Sequence, residues 1–263
     1  MLVIIRGAGD LATGIALRLK RAHISVIMTD IPAPTAIRRT VAFSQAIVLG
    51  ETKVEDVTAR RVETPEAAMA LLQENVVPVL VDPEGACISI LKPDAVVDAI
   101  LAKRNLGTAL TDAPIVLALG PGFTAGVDCH GVVETKRGHY LGRLILAGSA
   151  IPNTGVPGDI GGYSAQRIVR ATADGIFEPE VEIGQRVETG ALVARVDGTP
   201  VYAAMPGMVR GMLPAGLRVT QGMKAGDIDP RCEYEHCFTV SDKARAVGGG
   251  VLEGLLYFQS RRG

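Results

Sequence analysis

The sequence predicts an α/β protein with a Rossmann-like parallel-sheet domain and a small β domain of the barrel-sandwich (biotinyl/lipoyl-like) type. Apolar strand patterns alternate with helical patterns in the first half of the chain, which is typical of a parallel sheet. A glycine-bounded motif then recurs among short strand patterns in the second half. The predicted domains are 1–168, 169–230, and a C-terminal segment and helix, 231–263, that return to the first domain.

The composition is that of a globular protein, with 48% apolar and 21% charged residues. The 27 Lys and Arg residues balance 28 Asp and Glu residues, so no excess positive charge attracts nucleic acid. The longest uncharged runs, 113–127 and 144–158, are shorter than a membrane span and contain Gly and Pro. The first residues lack the pattern of an export signal, and four cysteines without such a signal are expected to be free thiols. We therefore expect a cytoplasmic protein with no membrane span and no nucleic-acid partner.

The first thirty residues have the pattern of a nucleotide-binding unit. The apolar run 2–5 predicts a buried strand, and Gly7, Gly9 and Ala12 then fit the motif G-x-G-x-x-G/A ahead of a helical pattern. A second apolar strand follows at 24–28. In this motif the first glycine allows a tight turn, the second lets the backbone approach a pyrophosphate, and the small third residue lets helix and strand pack closely. The helix N-terminus then faces the anion.

Asp30 ends the second strand, where such folds place the carboxylate that binds a ribose. A carboxylate here favours an NAD-like or adenosine-type nucleotide over NADP, unless Arg38 and Arg39 bind the additional phosphate. Asp10 is a further candidate contact, although it adds negative charge near the phosphates. The alternative is a turn of the same shape that binds nothing.

Further elements extend the predicted sheet. Strand patterns lie at 46–49, 79–81, 95–97 and 115–119, and Thr64, Pro65 and Glu66 form a helix start. The last strand continues directly into Gly120 and Gly122, which we expect at the carboxyl edge of the sheet, where ligands of α/β folds bind. A plain Pro-Gly turn is the alternative.

Reactive side chains concentrate in the middle of the chain. His130, Glu134 and His139 are candidate catalytic residues, and Arg143 is a candidate cofactor contact. If the residues between them form a strand, His130 and Glu134 point to one face, so that an imidazole and a carboxylate reach a common ligand. The alternative is that these residues are ordinary hydrogen-bonded groups.

The motif G-x-R-V-x-x-G occurs at 184–190 and again at 216–222. Two copies among short strands predict a flattened barrel of two interlocked β-hairpin halves, which resembles the biotinyl/lipoyl-like fold. Carrier domains of that fold present a lysine on a turn that here reads Asp-Gly-Thr-Pro at 197–200. We therefore expect no swinging cofactor arm.

Cys237 is the last candidate catalytic residue. Cys232, His236 and Cys237 lack the spacing of a zinc knuckle, so no metal site is predicted. We expect Cys237 near a cleft between the domains, as a molybdenum ligand or a sulfur or selenium relay. The alternative is a small buried hydrophobic residue.

Six separated segments together resemble the YqeB family. They are 7–14, 119–123, 134–143, 153–158, 227–231 and 241–246. The resemblance implies a bacterial or archaeal accessory protein that matures selenium-dependent molybdenum hydroxylases, similar in role to XdhC-type factors that carry a Rossmann domain and handle molybdenum cofactor. The implied partners are a molybdenum hydroxylase or its assembly factors.

The leading functional expectation is therefore a maturation factor that binds a small-molecule nucleotide or molybdenum cofactor. The first alternative is an NAD-dependent oxidoreductase in which Asp30 holds ribose and His130 or His139 transfers a proton. The second alternative is a non-catalytic scaffold with a vestigial nucleotide site.

Overall fold

The computed structural model describes residues 1–155 and 158–261, and its contacts divide the chain into two compact units. Unit 1 comprises Met1–Pro34, Ala42–Thr154 and Val240–Gly263, and unit 2 comprises Thr35–Val41 and Gly155–Thr239. The predicted boundaries, 168 and 230, differ from these. Arg167 links the first part of the second segment to the rest of unit 2, because it donates hydrogen bonds to the Gly158 carbonyl and the Asp227 carboxylate.

The described strands of unit 1 lie mostly in one nine-stranded sheet. The strands are β1 (Leu2–Arg6), β2 (Ser25–Asp30), β3 (Glu51–Val54), β4 (Val57–Val62), β5 (Val77–Val81), β6 (Ala95–Asp98), β7 (Ile115–Leu119), β8 (Thr124–Ala125), β9 (Gly131–Val133), β10 (Leu144–Ile145) and β11 (Gly148–Ser149). The order in the sheet is β10-β9-β7-β6-β1-β2-β5-β4-β3, and β8 pairs with β11 separately.

This sheet is mixed, which corrects the predicted parallel sheet. Neighbouring strands from β9 to β4 run parallel, but the outer strands β10 and β3 pair antiparallel with β9 and β4. The physical reason is the short connection, since β3 and β4 are joined by a tight turn at Glu55 and Asp56 that only an antiparallel pair accepts. Strand patterns alone do not reveal such edge hairpins.

Helices cover both faces of the sheet. They are α1 (Asp10–Arg21), α2 (Gln45–Leu49), α3 (Pro65–Leu71), α4 (Cys87–Leu91) and α5 (Asp242–Gln259), with 3-10 turns at Arg39–Val41, Leu72–Glu74, Ala165–Arg167 and Tyr234–Cys237. α1 packs on α5, whereas α3 and α4 contribute Ala68, Cys87 and Ile88 to a core cluster with the strands. Within the described residues, no helix combines the length and the apolar character needed to cross a membrane.

Local signals predicted some of these elements and missed others. The helix start at Thr64 is confirmed, because the Thr64 hydroxyl accepts a hydrogen bond from the Ala67 N–H at 3.2 Å. The strand predicted at 46–49 was wrong, since these residues form most of α2. Four consecutive apolar residues carry no period that separates a buried strand from a buried helix.

Unit 2 contains two four-stranded antiparallel sheets. Its strands are β12 (Ile168–Arg170), β13 (Gly175–Pro179), β14 (Arg186–Val187), β15 (Leu192–Val196), β16 (Thr199–Tyr202), β17 (Gly207–Met212), β18 (Leu217–Val219) and β19 (Lys224–Asp229). The orders are β12-β19-β17-β14 and β16-β15-β13-β18, with Phe177, Val196, Val209 and Ile228 in a shared core. Each copy of the repeated motif supplies an edge strand, β14 or β18, to a different sheet. Two separate sheets therefore replace the predicted barrel.

Two neighbouring glycines of α5 give a matched test of the packing in unit 1. A Cβ on Gly249 would meet no atom within 4 Å, so Gly249→Ala is expected to raise the free energy of unfolding by up to ~1 kcal/mol through helix propensity. A Cβ on Gly250 would overlap the backbone carbonyl oxygen of Gly142. Gly250→Ala is therefore expected to lower the free energy of unfolding, measured by urea denaturation. Equal stabilisation by both substitutions would contradict this packing.

Candidate functional site

The predicted glycine turn joins β1 to α1 at the carboxyl edge of the sheet. Gly7 has a φ of +99° and donates a hydrogen bond from its N–H to the Thr29 carbonyl at 2.8 Å. A Cβ on Gly7 would lie 2.8 Å from the Ala99 carbonyl oxygen, in the segment after β6. The protein's own backbone therefore requires glycine at this position.

Open space lies beside Gly9, at the N-terminus of α1. Gly9 is the N-cap residue with a φ of −69°, which any residue can adopt, and a Cβ there would meet no atom within 4 Å. Gly9 has no side chain to cap the helix, whereas Thr64 caps α3 with its hydroxyl. Half-buried Asp10 begins the helix, and Ala12 is buried. Such a helix end carries partial positive charge that an anion can neutralise.

Asp30 ties the end of β2 to this turn. Its Oδ2 accepts a hydrogen bond from the Ala8 N–H and its Oδ1 accepts one from the Ile31 N–H, both at 2.8 Å. Burial raises the pKa of Asp30, although both hydrogen bonds act in the opposite direction. Each carboxylate oxygen has a second lone pair, so Asp30 can still accept from a ribose hydroxyl. The structure thus brings the predicted residues Gly7, Gly9 and Asp30 together.

A buried polar network next to the turn was not predicted. Arg6 donates to the Thr108 hydroxyl at 2.7 Å, and that hydroxyl donates to the Asp98 carboxylate at 2.6 Å. All three residues are 2–3% exposed. Burial raises the pKa of Asp98, against the opposing effects of the Thr108 hydrogen bond and the Arg6 charge. The available sequence signal was a charged residue at the last position of β1 and of β6, two neighbouring parallel strands.

The second predicted loop is explained by packing. Gly120 has a φ of +68° and Gly122 a φ of +110°, which favour glycine. A Cβ on Gly120 would overlap the Thr135 hydroxyl, and one on Gly122 would lie 2.6 Å from the Arg104 backbone nitrogen. The loop follows β7 as expected, but neighbouring parts of the chain account for both glycines.

The structure does not bring His130 and Glu134 together. They flank the three-residue strand β9, one at each end, so their Cα atoms are ~13 Å apart at ~3.3 Å per residue. The His130 Nδ1 accepts a hydrogen bond from the Val116 N–H at 2.9 Å, and its ring centroid lies 5.7 Å from that of Phe258. The contacts of His130 therefore match the alternative reading, in which it is an ordinary hydrogen-bonded residue and not a catalytic one.

Glu134 lines a depression beside β10. Glu134 contributes to the lining of this depression, although the residue is only 2% exposed. Oε1 accepts a hydrogen bond from the Lys136 N–H at 2.7 Å, and Oε2 accepts one from the Ile151 N–H at 2.8 Å. The carboxylate thus joins the loop between β9 and β10 to the segment that follows β11.

Arg143 lines the same depression, which has a volume of about 510 Å³. Its guanidinium carbon lies 5.5 Å from the ring centroid of Tyr140. His139 is exposed, and its ring meets Tyr140 edge-on at 4.9 Å. Glu134 and Arg143 are therefore close to one cavity, and His139 lies on the outside of the same loop.

Cys237 is a buried residue of unit 2. It is 1% exposed, and its Sγ lies 3.7 Å from the Val209 carbonyl oxygen. Burial raises the pKa of the Cys237 thiol, although the charges of Arg210 and Arg38 lower it. These features fit the buried hydrophobic alternative, and the relay role and the position near a cleft stay predictions. Among residues 1–155 and 158–261, no group of three or more His, Cys, Asp and Glu side chains is arranged to hold a metal ion.

Comparison with known proteins gives one related sequence. No protein-family model matches the chain. The chain is 53% identical over 255 residues to the Escherichia coli (strain K12) protein described as "Uncharacterized protein YqeB", which covers 97% of this chain and 47% of that protein. This identity supports the resemblance of the chain to the YqeB family. The chain spans about half the length of that relative, and the relative's description assigns neither an activity nor a selenium-dependent role.

Several similar solved structures are named as aspartoacylases and desuccinylases, not as members of the YqeB family. An aspartoacylase family protein from Mesorhizobium loti is 13% identical, covers 86% of this chain and 84% of its own, and has a TM-score of 0.30. A succinylglutamate desuccinylase/aspartoacylase from Rhodobacter sphaeroides is 17% identical with the same coverage and a TM-score of 0.27. At these TM-scores no activity or substrate is transferred to this chain.

Two expectations are corrected by these findings. The predicted Rossmann-like parallel-sheet domain with a biotinyl-type barrel was wrong, because the large sheet of unit 1 is mixed and unit 2 contains two four-stranded antiparallel sheets. The expected maturation of molybdenum hydroxylases is corrected as well, because none of the similar proteins carries that role in its name. Neither this role nor its oxidoreductase and scaffold alternatives are carried forward.

The pH dependence of stability tests the environment of Asp30. A carboxyl group with a raised folded-state pKa adds stability that is fully present below its unfolded pKa of 3.8 and is lost as the pH rises through the folded value. Between about pH 4 and pH 7, the free energy of unfolding of the wild type should therefore fall relative to that of Asp30→Asn. Urea denaturation across this range measures the difference, and a constant or rising difference would contradict the assignment.

Alkylation by iodoacetamide tests the four thiols. Cys232 is half-buried, whereas Cys87, Cys129 and Cys237 are buried. Burial raises the pKa of Cys87 and of Cys129 to about 12. Because the thiolate is the reactive form, we expect Cys232 to react first in the native protein near neutral pH and the other three only after unfolding. Peptide mass spectrometry gives the order, and rapid native labelling of Cys237 would favour the relay role instead.

Proposed function

We propose that unit 1 binds a nucleotide of the NAD-like or adenosine type at the turn between β1 and α1. One arrangement carries the proposal: open space at Gly9 beside the N-terminus of α1, with the Asp30 carboxylate hydrogen-bonded to the adjacent Ala8 N–H. A helix N-terminus attracts phosphate, and a carboxylate accepts hydrogen bonds from a ribose. Neighbouring groups therefore match both parts of a nucleotide.

The contrast between Gly7 and Gly9 supports this proposal. Gly7 needs to be glycine because of its positive φ and the approach of Ala99. Gly9 has an ordinary φ, and a Cβ there would meet no atom within 4 Å. A phosphate that approaches the backbone would use the space that Gly9 leaves open.

The charge at Asp30 sets the expected preference among nucleotides. A carboxylate accepts from the ribose diol and repels a 2′-phosphate, so NAD is favoured over NADP. The molybdenum cofactor, the other ligand considered from the sequence, would also present phosphate to this helix end. Pyrophosphate is therefore a useful comparison, because it carries the phosphates without the ribose. All four cysteines are free thiols, which supports the cytoplasm as the proposed compartment.

Isothermal titration calorimetry with Gly9→Ala tests the proposal. We expect NAD or ADP to bind the wild-type protein, NADP and pyrophosphate to bind more weakly, and Gly9→Ala to weaken the binding of NAD or ADP by about tenfold or more. The substitution should lower the free energy of unfolding by no more than about 1 kcal/mol, because the Cβ has room in the unliganded protein and alanine is only a weaker N-cap than glycine. In the complex, the added methyl group would occupy the space that the phosphate needs, which is why binding should weaken.

Gly249→Ala is the matched control, because its Cβ also has open space but lies within α5 and not in the turn between β1 and α1. It should leave nucleotide affinity unchanged. The proposal fails if none of the nucleotides binds, or if Gly9→Ala binds them with the affinity of the wild type.

A further inference from the structure

The depression beside β10 contains a buried carboxylate that no cationic side chain of the described residues contacts. Glu134 is 2% exposed, and its oxygens accept hydrogen bonds from the backbone N–H groups of Lys136 and Ile151. Buried charges in proteins are normally paired with an opposite charge, because removing a charge from water is costly. Two neutral amide donors leave the negative charge itself without a counter-charge.

Arg143 supplies a positive charge at the rim of the same depression. Arg143 is exposed and lies over the Tyr140 ring, with the guanidinium carbon 5.5 Å from the ring centroid. Across the part of the chain that the structure describes, Arg143 forms no salt bridge. The depression thus presents a carboxylate and a guanidinium that form no salt bridge with each other, although the Glu134 N–H donates a hydrogen bond to the Arg143 carbonyl at 3.0 Å.

Apolar side chains complete the lining. Tyr140, Leu146 and Ile151 are 50%, 43% and 37% exposed, although they are large apolar side chains, and all three line this depression. Exposed apolar side chains that converge on one cavity mark a binding surface more often than scattered ones do. The volume of about 510 Å³ lies within the usual range of small-molecule sites.

We infer that this depression binds an aliphatic α-amino acid in its zwitterionic form. The ammonium group of the ligand supplies the counter-charge of Glu134, and its carboxylate binds the Arg143 guanidinium. The aliphatic side chain covers Leu146 and Ile151. A simple anion would leave Glu134 without a counter-charge, and a simple cation would face Arg143, so only a ligand with both charges matches both groups.

Three related probes separate these contributions in titration calorimetry. L-leucine carries both charges, N-acetyl-L-leucine lacks the ammonium group, and L-leucinamide lacks the carboxylate. We expect L-leucine to bind at least about tenfold more tightly than either of the others, since each of the others lacks one charge-assisted hydrogen bond. Equal or tighter binding of N-acetyl-L-leucine would overturn the role of Glu134, and equal binding of L-leucinamide would overturn that of Arg143. No binding of any probe would overturn the site.

Variants on exposed positions test the same site without loss of the fold. Arg143→Gln and Leu146→Ala should each weaken L-leucine binding and leave the melting temperature nearly unchanged, because both side chains are exposed. Arg218→Gln, at an exposed arginine in unit 2, is the matched control and should bind L-leucine like the wild type. Identical affinities of Arg143→Gln and Arg218→Gln would overturn the inference. The result does not depend on the nucleotide proposal, because none of these substitutions touches the glycine turn.

Discussion

The close contact of α1 with α5 is the interaction on which unit 1 depends. A Cβ on Gly14 of α1 would lie 2.6 Å from the Cβ of Ala244, and a Cβ on Gly248 of α5 would lie 3.0 Å from the Gly14 carbonyl oxygen. Small residues let the two helices approach closely. α5 also contacts β7, β9 and β10, so it covers one face of the large sheet at the same time. Helix and sheet packing therefore rest on a few residues that have no room for larger side chains.

The carboxyl edge of the sheet combines stability with the capacity to bind. Asp30 and Asp98 are held away from water, and burial raises the pKa of both. The bonds that hold them also fix their surroundings: Asp30 fixes the glycine turn, and Asp98 reaches Arg6 through a shared hydroxyl. Hydrogen bonds in a low-dielectric interior hold the groups that they join in place, although the buried Arg6 Nε has no hydrogen-bond partner among the described residues. The turn is thus preformed, which lowers the entropic cost of holding a ligand.

Elements with local signals were predictable from the sequence, and elements that depend on distant contacts were not. The strand, turn and helix around Gly7 follow from periodicity and glycine spacing, and the Thr64 cap follows from local chemistry. Asp30 could be placed at the end of a strand, but its bond to Ala8 required the structure. The pairing of Arg6 with Thr108 joins residues far apart in sequence, for which the chain contains no periodic signal. The edge hairpins and the two separate sheets of unit 2 also depend on pairing rather than on pattern.

The division of the chain has a consequence for synthesis on the ribosome. Unit 2 is encoded mostly by residues 155–239, between the last strand of unit 1 and α5. Because the ribosome adds ~5–20 residues per second, the synthesis of these residues delays the appearance of α5 by roughly 4 to 17 s. During that interval the nascent sheet has no α5, and the surface of α1 around Gly14 is uncovered. A glycine there exposes less apolar area than a leucine or a valine would, so the feature that permits tight packing also limits association of unfinished chains.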